Sequence, residues 1–157
     1  MEFFNNPELV IFGRLVLAVL LGALIGVERE LAKKTAGIRT HALVSLGACL
    51  FTSISLLAFK NFGAVFDPSR IPSNIVVGIG FLGAGVIIFY EAKLRGITTA
   101  AGLWVAAAIG TAIGFGFNLL AIFATFLTFL VFTLLWAFEK EIEEKAKYFF
   151  SLTYAAN

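Results

Sequence analysis

The chain has 157 residues, of which 60% are hydrophobic and 14% charged, and its mean hydropathy is +0.95. Soluble domains run nearer 45–50% apolar and about 25% charged, so this composition describes an integral membrane protein. Twelve basic and ten acidic side chains leave a net charge of +2, with no run of like charge dense enough to hold nucleic acid. The single cysteine, Cys49, excludes an intrachain disulfide framework and, set in an apolar run, reads as a buried and inert thiol.

Five apolar segments approach the roughly 20 helical residues that cross a bilayer core. They cover residues 9–27, 41–59, 74–90, 97–115 and 118–138. The first runs on without a small-residue cleavage site, which predicts a retained helix rather than a signal peptide. Pro7, Pro68 and Pro72 all fall outside the segments, where a missing backbone donor is harmless. Arg29, Lys33, Lys34, Arg39, Lys93, Arg95, Lys140, Lys145 and Lys147 lie on one side of this layout, nine basic residues against only Lys60 and Arg70 on the other. Basic links stay in the cytoplasm, so the N-terminus is expected outside and the C-terminus inside. Arg14, within the first span, is expected to snorkel to the outer surface. It shares nearly one face with Glu28, about 21 Å away along the helix. The fifth segment has no glycine and carries Phe123, Phe126, Phe129 and Phe132, a composition expected to face lipid. Residues 139–157 read as a charged cytoplasmic tail, with Trp136 and Tyr148 as interfacial anchors.

A weak internal repeat links the two halves. Leu21-Gly22-Ala23 recurs as Leu82-Gly83-Ala84, and the stretch opened by Gly37 recurs as the one opened by Gly96. Each pair flanks a charged link, so two helical hairpins point the same way and the fifth helix follows them. Parallel repeats of this kind occur in transporter folds.

Gly78, Gly80 and Gly83 match G-x-G-x-x-G, but the dinucleotide reading needs a strand before the glycines and a βαβ unit around them, not a membrane span. Helix packing is the better reading. Glycines at 78, 80, 83 and 85 let a neighbouring helix approach closely, and Gly22 with Gly26 and Gly110 with Gly114 repeat the same small-residue spacing, within one chain or between chains.

Charge concentrates at Glu28, Arg29, Glu30, Lys33, Lys34 and Arg39, around Gly37. Balanced charge is ordinary in a cytoplasmic link. Glu28 is the sharper candidate because it follows the apolar run directly, and Glu91 holds the matching place in the second hairpin. Ionisable groups at membrane depth are costly and usually paired, so Glu28 is expected to pair with Arg39 or Arg95 across the hairpins. His41, beside Thr40, has no second histidine near it and is a poor metal ligand. Mg²⁺ prefers carboxylates with retained water, which Glu28, Glu30 and Glu91 supply only if the hairpins converge. No nucleophile with its base, phosphate loop or zinc spacing appears. A non-enzymatic protein without a resident cofactor is therefore expected.

Two long stretches carry a resemblance: LGALIGVERELAKKTAGIRTHALVSLGA at residues 21–48, then GIGFLGAGVI and RGITTAAGLWVAAAIG within residues 78–110. In this order they resemble the membrane domain of the MgtC/SapB family, here residues 1–138. The resemblance implies a multi-pass protein of the bacterial inner membrane, associated with magnesium limitation and, in pathogens, with survival inside host cells. From the virulence-linked members it further implies action by binding and modulating other membrane proteins, the ATP synthase among them, rather than by carrying Mg²⁺. The family motif falls on Glu28, Arg29, Gly37, Arg39 and Thr40, and on Gly80, Gly83, Gly85, Arg95, Gly96 and Thr99. Longer members carry a soluble domain after the fifth helix, so this chain reads as a short member or a piece of a longer one. The virulence-linked members have Asn where this chain has Thr98 and Cys where it has Val105, departures that bear on the virulence activity and leave the fold untouched.

The leading expectation is a membrane regulator linked to Mg²⁺ homeostasis, working through contacts with partner membrane proteins or with copies of itself. The alternative is a small oligomeric transporter or channel for Mg²⁺ or another solute, suggested by the parallel repeat and the paired carboxylates.

Overall fold

A computed structural model describes residues 7–58, 67, 69–90, 93–135 and 138. Among them run five α-helices: α1 (Pro7–Leu31), α2 (Ile38–Ala58), α3 (Arg70–Val86), α4 (Ile97–Phe115) and α5 (Asn118–Leu130), the last continued by a π-helical turn at Val131–Leu135. An antiparallel ribbon of β1 (Ile88–Tyr90) and β2 (Lys93–Arg95) joins α3 to α4. The charged tail expected at 139–157, the anchors Trp136 and Tyr148, and Glu91 lie outside the described residues.

Among the described residues four helical stretches, Glu8–Leu31, Ile38–Ala58, Ile97–Phe115 and Asn118–Leu135, are long and apolar enough to cross a membrane, and α3, with 17 residues, is shorter. At 1.5 Å per residue α3 covers about 26 Å of a hydrocarbon core about 30 Å thick.

Among the described residues the fold is all-α apart from this short ribbon, which shortens the third span. The third span, expected at 74–90, is a helix that starts earlier and stops at Val86. Ile88, Phe89 and Tyr90 are β-branched or aromatic and favour extended backbone; they pair with Arg95, Leu94 and Lys93. Gly96 closes the ribbon at φ 93°, with a β-carbon excluded by the Val86 carbonyl.

The link between α1 and α2 is held locally. Lys33 adopts φ 54° just past α1, and the Lys34 N–H donates to the Arg29 carbonyl at 2.9 Å, a helix stop of the Schellman type. Glu30 then caps α2 from outside: its Oε2 accepts from the Ile38 N–H at 3.0 Å, a carboxylate at the positive end of the helix dipole. Ahead of α3, Asp67 accepts hydrogen bonds from the Ser69 hydroxyl at 2.6 Å and the Ser69 N–H at 2.9 Å, which hold its carboxyl below the usual range.

α4 is central and packs on α1, α2, α3 and α5. Its tightest contact is with α2, where a β-carbon on Gly110 would collide with the Ser45 backbone. α1 meets α2 in the same manner: a β-carbon on Gly22 would stand 2.6 Å from the His41 carbonyl oxygen. Gly83 of α3 faces Ala100 of α4, the position that the internal repeat aligns with His41. Around these contacts Ala18, Ile25, Cys49, Ile109, Ile113, Ala121 and Phe132 form the buried core.

Two packing expectations change. Gly78, Gly80 and Gly85 have nothing within 4 Å of where a β-carbon would stand, so they meet no neighbouring helix among the described residues. Phe123, Phe126 and Phe129 are exposed, but Phe132 is only 7% exposed and belongs to the core. The wider π turn shifts the register of the side chains it carries, and Phe132 swings inward.

Candidate functional site

The last turns of α1 place Glu28 and Arg29 at the end of the bundle where α2 begins. The Arg29 Nη2 donates to Glu28 Oε1 at 2.9 Å and its Nε donates to Oε2, a bidentate pair. Arg29 is 2% exposed, and its guanidinium carbon lies 3.7 Å from the centroid of the Phe132 ring, a cation–π contact in a desolvated setting.

This geometry corrects the expected pairing of Glu28 with Arg39 or Arg95. Both of those arginines are exposed, and Arg95 lies over Tyr90 across the ribbon, 5.5 Å from the ring centroid. Of these three arginines, Arg29 is the one that is buried, and a buried guanidinium is costly without a carboxylate beside it.

His41, in the first turn of α2, is fully buried. Its Nδ1 lies 3.0 Å from the Gly37 carbonyl oxygen, so in the neutral ring Nδ1 carries the proton and Nε2 is left as an acceptor. That Nε2 points toward Gly102 and the Phe132 edge, since a β-carbon on Gly102 would stand 3.2 Å from Nε2 and 3.0 Å from Phe132 Cζ. Among the described residues, Arg29 Nη1, His41 Nε2 and Ser45 Oγ are buried at this end without a hydrogen-bond partner.

The polar surface continues along α2. His41, Ser45, Thr52 and Ser55 recur at spacings of four, seven and three, one face of a helix, with Cys49 and Ser53 beside them; all six are buried. Thr52 satisfies its hydroxyl on the Ala48 carbonyl at 2.8 Å, while the Ser53 and Ser55 hydroxyls have no partner among the described residues. At the far end stands Arg14, whose Nη1 donates to the Gly114 carbonyl at 3.0 Å, in the last turn of α4. Arg14 therefore turns inward onto the negative end of the α4 dipole, a correction of the outward snorkelling expected of it. A buried polar seam thus runs from Arg14 to the Glu28–Arg29 pair, carried by α2. Its spacing is present in the sequence, but hydropathy averaged around the helix hides a single polar face.

The other sequence candidates divide. Gly37 anchors His41 through its carbonyl, and Gly96 is the left-handed cap ahead of α4. Thr99 is buried in the first turn of α4, whereas Arg39, Thr40, Thr98 and Arg95 stay at the surface. Among the described residues no three His, Cys, Asp or Glu side chains cluster closely enough to hold a metal ion. The proposed convergence of Glu28 with Glu91 lies outside the described residues.

Helices of membrane-spanning length packed through glycine around a buried ion pair define a polytopic α-helical membrane protein. Within that class the chain belongs to the MgtC family, which it matches over residues 15–141. It is 43% identical over 122 residues to a putative magnesium transporter, YhiD, of Escherichia coli K12, covering 75% of this chain and 57% of that protein. It is 48% identical over 102 residues to protein MgtC of Salmonella typhimurium, covering 65% and 42%. It is also 41% identical over 128 residues to an uncharacterized protein of Haemophilus influenzae, covering 78% and 54%. The chain spans about half the length of the curated relatives it matches. No solved structure matches it.

Proposed function

We propose that the chain is a bacterial inner-membrane protein of Mg²⁺ homeostasis that acts without enzymatic chemistry, by contact with partner membrane proteins. The observation that carries this reading is the outer surface of α3. Val77, Gly80, Phe81, Ala84 and Gly85 fall within about 140° of that helix. Val77 and Phe81 are 73% and 82% exposed, and the two glycines have open space beside them. A surface of this kind admits the backbone of another transmembrane helix. The magnesium link is supported by the name of the YhiD relative. The family resemblance puts the ATP synthase among the candidate partners, and a second copy of the chain is another. Glu28 supports the regulator reading too, because Arg29 occupies both of its oxygens.

Photo-crosslinking from position 81 in cells shifted to low Mg²⁺ tests this. The expected result is a discrete adduct with a membrane protein, lost when Gly80 and Gly85 are replaced by Leu. Adducts with lipid alone would overturn it.

A second reading, an oligomeric Mg²⁺ or solute transporter, is favoured by one feature, the buried polar seam of α2. It requires Mg²⁺ flux through the reconstituted protein that depends on Glu28.

A further inference from the structure

We propose that the groove between α2 and α3 binds one anionic phospholipid, with an acyl chain along the groove and the phosphate at Arg39. The groove has a volume of about 510 Å³, within the roughly 300–1,000 Å³ of small-molecule sites. Leu43, Gly47 and Phe51 form its α2 wall, and Gly78, Ile79 and Leu82 its α3 wall. Two of the six are glycines, and each has open space where a β-carbon would stand. The groove is open because both helices give up side chains along it, and none of the described residues fills the space.

The two ends differ. α2 begins and α3 ends at the same end of the groove, where Arg39 and Thr40 stand one turn before Leu43 and Val44. Arg39 is exposed and has no ion-pair partner among the described residues. The ribbon that continues α3 adds Lys93 and Arg95, both exposed. A helical side chain leans toward the N-terminus of its helix, so Arg39 reaches past the apolar wall to the interfacial level, where long basic side chains place their charge. A long apolar groove that ends at exposed cations is complementary to an amphiphile with a hydrocarbon tail laid in the wall and a negative headgroup. Anionic phospholipid has that form, and basic residues near the membrane surface attract it.

The test uses the purified full chain reconstituted in vesicles of equal parts phosphatidylglycerol and phosphatidylcholine, extracted and weighed by native mass spectrometry. The expected result is one retained phosphatidylglycerol per chain in preference to phosphatidylcholine. Arg39→Gln lowers that preference about fivefold, the factor given by roughly 1 kcal/mol per basic residue at the surface. Gly47→Leu, whose β-carbon meets nothing within 4 Å, is expected to fill the groove and remove the bound lipid of either class while the chain stays folded. Equal retention of the two lipids, unchanged preference in Arg39→Gln, or a phosphatidylglycerol still held by Gly47→Leu would each overturn the proposal. A disulfide between two chains through Gly47→Cys would place a second copy in the groove and overturn it as well.

Discussion

Arg29 joins the last turn of α1 to the core, with Glu28 gripping its fork and Phe132 covering its face. Removing one member of a buried pair leaves the other uncompensated, at a cost of about 3–5 kcal/mol. Arg29→Leu is therefore expected to destabilise the solubilised protein by that amount in thermal or detergent unfolding. The double variant Glu28→Leu/Arg29→Leu should recover much of the loss, since it leaves no orphan charge. A single Arg29→Leu within about 1 kcal/mol of the parent would show that the pair is solvated rather than buried. Phe132→Leu removes the ring face and should cost about 1–2 kcal/mol. Glu28 and Arg29 both stand out in the sequence, directly after an apolar run. Their pairing does not, because adjacent helical residues ordinarily diverge, and only the fold shows both turned into the bundle.

Glycine has opposite meanings on different helices. On α4, Gly110 lies against the Ser45 backbone, and a methyl group there must push α2 away. Gly110→Ala is expected to cost about 1–3 kcal/mol or more, read as a lower unfolding midpoint. On α3, Gly85 faces open space, and Gly85→Ala should be neutral within about 0.5 kcal/mol or slightly stabilising. Equal losses at the two positions would contradict the packing described. The small-residue spacing points to close packing on α1 and α4, but on α3 only Gly83 meets a neighbouring helix, and Gly78, Gly80 and Gly85 meet none among the described residues. A glycine in the sequence states that a side chain is missing; it does not say what fills the gap. The ribbon was hidden for a related reason, since Ile88, Phe89 and Tyr90 are as apolar as the helix they follow, and hydropathy cannot separate strand from helix there.

Across the whole molecule, the helices that reach membrane length were legible from hydropathy, and the family from two long motifs. The polar seam was not, because it is one face of a helix whose average is apolar. The excess of basic residues around the α1–α2 link, the ribbon and the tail predicts that reporter fusions near Thr35 report the cytoplasm and fusions near Asp67 the opposite side. The reverse pattern would invert the orientation proposed. Action by contact would use the outer face of α3, and conduction the seam of α2. Mg²⁺ uptake into vesicles holding the purified chain decides between them most directly. The contact account predicts uptake no greater than in protein-free vesicles, with or without Glu28→Ala. Saturable Mg²⁺ uptake that Glu28→Ala abolishes would contradict it.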